Sequence, residues 1–380
     1  MNSNFKFFKI SYFMLFFGVA AYYPILGKYY KELGFSGTQI GILFSAATFI
    51  TMLVQPLWGA ICKKLGNCKS SFIVIHIAII FIALFLPFIK NYWLLLIVMS
   101  IHFIFQCGLF PLLDTMIYKD IYDFGKIRLW GSIGFASMVL FSGRLAEILG
   151  ISNMFFIYSF LMIISLYVGT KIQETASIKI SADKKSSGKL FTKDYITFLI
   201  IGFFTMGAFT TGGQYFSILF SDIGGSMTAF GITYFFIAIS EVPFLKVSQK
   251  IVKKYGAEKL IFVSGLLVLG RFGLNGLAKD YRIILYTSIF MGSFIGLSLP
   301  AAAVFLKEKV SSENRAMAVT IYSAIGSGLG PMIFQFSGGI IYEHTNISIL
   351  YLVLCVLILI GIGFSWKLIK NNQISKISSH

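Results

Sequence analysis

The sequence predicts an all-α integral membrane protein, with twelve transmembrane helices in two pseudo-symmetric six-helix bundles. Three observations predict it. Of the 380 residues, 57% are hydrophobic and only 12% charged, against about 25% charged in an ordinary soluble domain. The apolar residues gather in twelve runs, each near the roughly 20 residues that a helix needs to cross a bilayer. The chain also matches itself at a fixed offset of 190 residues.

The composition excludes whole classes. A water-soluble chain of this size could not bury so much apolar surface and would expose large patches. That removes a soluble enzyme, a secreted disulfide scaffold and a disordered chain. The cysteines Cys62, Cys68, Cys107 and Cys355 have no metal-site spacing and read as free thiols. No G-x-x-x-x-G-K-[ST] run occurs, so the chain carries no nucleotide site of the kind that drives ATP-powered pumps.

The predicted spans are 7–27, 38–60, 71–89, 92–113, 128–148, 153–171, 195–217, 228–248, 260–278, 283–305, 316–336 and 347–368. Positive charge orients them. Placing the N-terminus inside puts 25 of the 32 lysines and arginines in cytoplasmic segments and six outside, leaving Arg271 within a span. That asymmetry is the positive-inside pattern. It accounts for the net charge of +17 without nucleic acid, and it places both termini in the cytoplasm of a bacterial inner (cytoplasmic) membrane. The expected organisation is an N-terminal bundle at 1–171, a Lys- and Ser-rich cytoplasmic linker at 172–194, and a C-terminal bundle with a short cytoplasmic tail at 195–380.

The repeat aligns span two with span eight without gaps. Gly34, Ser36, Thr38, Gly41 and Ile42 fall on Gly224, Ser226, Thr228, Gly231 and Ile232; Lys63, Lys64, Gly66 and Lys69 fall on Lys253, Lys254, Gly256 and Lys259. The matches cluster in the loops that bracket the helix rather than in low-complexity apolar sequence, which marks a duplication. Parallel six-helix repeats are the architecture of rocker-switch transporters, with the substrate site between the halves near the bilayer midplane.

Motifs then narrow the comparison. The loop Gly59-Ala-Ile-Cys-Lys63-Lys64-Leu-Gly66-Asn-Cys-Lys69 resembles the G-x3-D-[RK]-x-G-x-[RK]-[RK] loop of the major facilitator superfamily, with Lys63 where that family has Asp and Cys68 in place of one basic residue. The resemblance implies an inner-gate role for Gly59, Lys63, Lys64 and Gly66. Three further runs resemble the branch holding phenylpropionate permeases, lactose permeases and nucleoside–proton symporters. They are Leu33-Gly34-Phe35-Ser36 with Gln39-Ile40-Gly41, the stretch Phe124-Gly125-Lys126-Ile127-Arg128-Leu129-Trp130-Gly131-Ser132-Ile133-Gly134, and Glu241-Val242-Pro243. The branch often places a His in span ten, and this span has none.

Ionisable groups deep in a bilayer are costly and mark function. Fourteen of the fifteen acids lie in loops or near helix ends, which leaves Glu241; at 1.5 Å per residue it sits about 20 Å into span eight. Arg271 is the comparable base, about 17 Å into span nine. The expected arrangement is a Glu241–Arg271 pair in which Glu241 binds the coupling proton. A fixed structural ion pair is the alternative. Candidate substrate contacts are Glu241 and Arg271 themselves, Tyr22 and Tyr23 beside Pro24 in span one, His102 and Gln106 one turn apart in span four, and Gln214 and Tyr215 after the paired glycines of span seven. His76 in span three reads as structural. At the inner interface, Arg128 opposite Asp114 or Asp123 is a candidate gate, with membrane anchoring as the other reading. Arg144, near Glu147 at the outer end of span five, reads as a snorkelling side chain.

The expected function is secondary transport: a proton-coupled symporter, working as a monomer in the lipid bilayer, that imports a small organic solute (an aromatic acid, a nucleoside or a sugar) by alternating access. It needs no cofactor beyond the coupling proton and no metal. A proton-coupled exporter is the alternative, although span five lacks the G-P-x-x-G-G signature of drug antiporters. An integral-membrane enzyme is a more distant third, because no catalytic constellation is present.

Overall fold

The computed structural model describes residues 3–65, 67–119, 124–173 and 190–377. Among them, twelve helices are long and apolar enough to cross a membrane. They are span one (Asn4–Glu32), two (Gly37–Cys62), three (Cys68–Phe88), four (Tyr92–Ile117), five (Lys126–Leu149), six (Ile151–Thr170), seven (Lys193–Asp222), eight (Met227–Ser248), nine (Ala257–Leu277), ten (Tyr281–Lys309), eleven (Met317–His344) and twelve (Ile347–Asn371). Each overlaps its sequence-predicted span. Most extend a few residues further, because polar capping residues belong to the helix even where they lie outside the apolar run. Most of the predicted linker, 174–189, lies outside the described residues.

Two compact units emerge: Met1–Ile180 with Ser226–Phe235, and Ser181–Gly225 with Phe236–His380. In the first, span one packs along spans five and six, and span four along spans two and three. Tyr22, Tyr158 and Phe155 are buried there in ring contact, with Tyr22 centred 4.5 Å from Tyr158. In the second, span twelve packs on spans seven and nine, and span nine on span ten. The apolar core at one end of this unit joins Tyr195, Phe198, Leu260, Ala301 and Phe305. Above it, the ammonium of Lys309 in the last turn of span ten reaches Asp194 at 3.2 Å and Glu258 at 3.9 Å. Those acids sit in the first turns of spans seven and nine, so each charge also complements its own helix dipole.

The repeat survives as backbone geometry. The turn after span one closes with Leu33 N–H to Tyr29 O, Gly34 N–H to Lys31 O and Phe35 N–H to Tyr30 O; the turn after span seven closes with Ile223 to Leu219, Gly224 to Ser221 and Gly225 to Phe220. Gly34 and Gly224 adopt φ of 80° and 79°, a left-handed conformation that favours glycine. Ser36 and Ser226 then cap the following helices through their hydroxyls.

Three spans are interrupted. Span one passes through a 3-10 turn at Tyr23–Ile25, where Pro24 cannot supply a helical N–H. Span ten is a six-residue helix, Tyr281–Tyr286, followed after Thr287 and Ser288 by Ile289–Lys309. Span eleven widens into a π-helical segment over Ala324–Leu329, a stretch that holds Gly326 and Gly328. Cys62 and Cys68, expected as free thiols, are instead joined in a disulfide with Cα atoms 4.8 Å apart. Asn67, between them, is the N-cap of span three and accepts from Ser70 N–H. Cys107 and Cys355 are free.

Candidate functional site

The predicted residues fall into three groups. The first is a buried network in the first unit. Span one ends its regular helix at Tyr22, which sets that side chain beside one face of span four. The Tyr22 hydroxyl donates to Gln106 Oε1 and lies 3.1 Å from His102 Nε2. The hydroxyl has one proton, so Nε2–H of His102 supplies the second hydrogen bond and Nδ1 remains a bare acceptor. That Nδ1 is buried with no hydrogen-bond partner among the described residues. Tyr23 turns away at the 3-10 break, its ring edge-on to Tyr22 at 6.3 Å. His76, read as structural, bonds Phe72 O at 2.9 Å and Ser165 at 3.2 Å inside the same unit.

The second group lies in the second unit, where the structure divides what the sequence paired. Tyr215 is fully buried and donates to Gln335 O at 2.9 Å, pinning span seven to span eleven. Its neighbour Gln214 is only half-buried. Glu241 is half-buried on span eight. Its backbone is crossed by span ten: a Cβ at Gly292 would strike Ile237 O and Glu241 N, and one at Gly296 would strike Glu241 O and Leu245 N. Span ten therefore approaches Glu241 backbone to backbone, which only glycine permits.

The expected Glu241–Arg271 ion pair is not formed. Arg271 is 1% exposed, donates from Nη1 to Thr287 Oγ1, and lies 5.9 Å from the centre of the Phe216 ring. The reason is the break in span ten. It leaves Thr287 and the carbonyl end of the short helix Tyr281–Tyr286 in reach of span nine, and a guanidinium is favoured at such an end. Nothing in the apolar spacing of span ten signals that break.

The third group is the candidate gate. Gly59 is exposed at the end of span two, with nothing near its Cα to oppose a side chain. Lys64 is exposed, and Lys63 belongs to the same helix, Gly37–Leu65. Gly66 and Asp123 lie outside the described residues. Asp114 is half-buried on span four, with Oδ1 buried and unpartnered among the described residues. Arg128 is the cation whose charge acts on it, without an ion pair between them.

Sequence reasoning also missed the partner of Glu147. Glu147 at the end of span five accepts from Thr228 N–H at 3.0 Å and from the Thr228 hydroxyl, while Arg144 lies 3.7 Å from its carboxylate.

Twelve spans, a duplicated capping turn and a buried polar residue set in each unit describe a polytopic carrier. Residues 6–353 match the model of the MFS_1 like family. The chain belongs to that family. Its relatives include the maltose permease of Geobacillus stearothermophilus, 26% identical over 93% of this chain and 92% of the relative. Another is a probable 3-phenylpropionic acid transporter of Escherichia coli (strain K12), 22% identical over 91% of this chain and 93% of that one. The crystal structure of the nucleoside transporter NupG superposes with a TM-score of 0.83 over 97% of this chain and 100% of that chain, at 18% identity, which establishes the fold. This family member is accordingly a multi-pass membrane protein and a secondary transporter of the major facilitator superfamily, not an enzyme.

Proposed function

We propose that the chain is a proton-coupled symporter of the bacterial inner membrane that imports a small organic solute by alternating access. It acts as a monomer with both termini in the cytoplasm. The observation that carries this reading is Glu241, the one carboxylate deep inside a span, half-buried where span ten crosses its backbone. A carboxylate so placed changes its proton affinity with small changes in burial, because desolvation favours the neutral form. Movement of span ten against span eight would change that burial.

In this reading the solute engages Glu241 and Gln214, both half-buried in the second unit; Tyr23, half-buried in the first unit, is a separate candidate contact. Tyr22, His102 and Gln106 in the first unit, and Tyr215 and Arg271 in the second, are the buried polar residues that become available as the spans move. Arg128 and Asp114, with Gly59, Lys63, Lys64 and Gly66, control the inner opening. The solute is a sugar, a nucleoside or an aromatic acid, in keeping with the names of the relatives.

The test is uptake of labelled solutes from these three classes into proteoliposomes under an imposed inward proton gradient. Accumulation that a protonophore abolishes, and that Glu241→Gln loses while keeping solute exchange, is the expected result. Accumulation by Glu241→Gln equal to wild type would remove Glu241 from the mechanism.

A further inference from the structure

Arg271 is a buried cation without a counter-charge among the described residues. Only 1% of its surface is exposed. Its Nη1 is bonded to a neutral hydroxyl and its guanidinium lies over the ring of Phe216. Among the described residues, its Nε and Nη2 have no hydrogen-bond partner and no carboxylate lies within ion-pair distance. Burying an ion is unfavourable by several kcal/mol unless it is paired. A single hydroxyl and a ring face do not offset that.

The second observation lies one turn along the same helix. Asn275 is fully buried, and neither its amide nitrogen nor its amide oxygen has a partner among the described residues. Positions four apart lie on one face of a helix, with Cβ atoms about 6 Å apart. Two unpartnered guanidinium nitrogens and a neighbouring unpartnered amide therefore share one face of span nine inside the second unit. Three of the four unpartnered atoms are donors, the Asn275 amide oxygen being the one acceptor. The complementary ligand has lone pairs, one negative charge and little bulk.

We propose that Arg271 and Asn275 form a binding site for a compact monovalent anion within this unit, the anion being the counter-charge of Arg271. The same donors suit a carboxylate, supplied by an acidic solute, and an inorganic halide such as chloride. The proposal is independent of proton coupling, because its readout needs neither a gradient nor transport.

The experiment is thermal unfolding of the purified full-length chain in detergent, at constant ionic strength. Sodium methanesulfonate serves as the reference salt, with sodium chloride and bromide in one arm and sodium acetate and benzoate in the other. Binding to the folded state raises the midpoint, here by about 2–4 °C. A rise with chloride and bromide identifies an inorganic ion; a rise with acetate or benzoate identifies a carboxylate. Arg271→Gln must abolish the rise. Asn275→Asp places a fixed carboxylate one turn from Arg271, so it must raise the midpoint in methanesulfonate and remove the dependence on added anion. This second variant keeps the test decisive if Arg271→Gln does not fold. The proposal is overturned if neither arm shifts the wild type, if the shift persists in Arg271→Gln, or if Asn275→Asp remains as anion-dependent as the wild type.

Discussion

Glu147 and Thr228, 81 positions apart, meet through two hydrogen bonds: the carboxylate accepts from both the backbone N–H and the hydroxyl of the threonine. Thr228 is the second residue of span eight. The acid thus adds to the Ser226 cap a second acceptor for the first turn of a helix to which it does not belong, where the helix dipole favours a negative charge.

Removing that carboxylate leaves the Thr228 N–H and hydroxyl without their acceptor, while Ser226 still caps Ala229. Glu147→Ala should cost about 1 kcal/mol, the usual worth of an N-cap. Thr228→Val should cost part of the same amount, since the N–H bond remains. The double variant should lose less than the sum of the two, because the residues touch. Thermal melts of the three variants in detergent measure this directly.

The contact between spans eight and ten depends on two glycines. Gly292→Val or Gly296→Val places a branched side chain against the backbone at Glu241, and overpacking of this kind costs about 1–3 kcal/mol. Uptake should fall to about a tenth of wild type or less. Gly363→Ala on span twelve is the control: a Cβ there meets nothing within 4 Å, and its stability should stay within about 0.5 kcal/mol of wild type. Equal uptake by the span-ten and span-twelve variants would separate the glycine crossing from transport.

Tyr22→Phe deletes the hydroxyl shared by Gln106 and His102. Two buried polar groups then lose a partner, a cost of about 1–2 kcal/mol, read as a drop in melting midpoint. If the network also contacts solute, KM rises alongside; if its role is packing alone, KM is unchanged.

Coupling by one proton sets a ceiling. An elementary charge moving through 100 mV gains about 2.3 kcal/mol, and 1.36 kcal/mol corresponds to a tenfold ratio. A neutral solute should therefore reach an inside-to-outside ratio of about fifty at 100 mV with no pH difference. Steady-state accumulation in proteoliposomes well above that value would require more than one coupling ion.

The positions of the twelve spans were legible because a bilayer asks for long apolar runs, and runs of that kind are visible without any contact being known. The turn around Gly34 and Gly224 was legible for a similar reason: its hydrogen bonds lie within a few residues of one another. Neither the partner of Arg271 nor that of Glu147 could be read in this way. Arg271 goes to Thr287 because span ten breaks there, and a break between apolar residues leaves hydropathy unchanged. Glu147 reaches a threonine that is distant in sequence, so no local pattern announces it. The closing of Cys62 onto Cys68 depends on the path of the chain at Asn67, where the spacing of the two cysteines alone is uninformative.

The paired turns carry a consequence for ancestry. In one copy the acceptors belong to Tyr29, Tyr30 and Lys31; in the other they belong to Leu219, Phe220 and Ser221. Every one of these side chains has been exchanged, and the carbonyls behind them still accept from the same three positions. What descended from the common half was a route for the backbone, held by one left-handed residue. Such a route outlives the letters that first encoded it, so kinship between the halves of still more diverged carriers should remain traceable in torsion angles after alignment of their residues has failed.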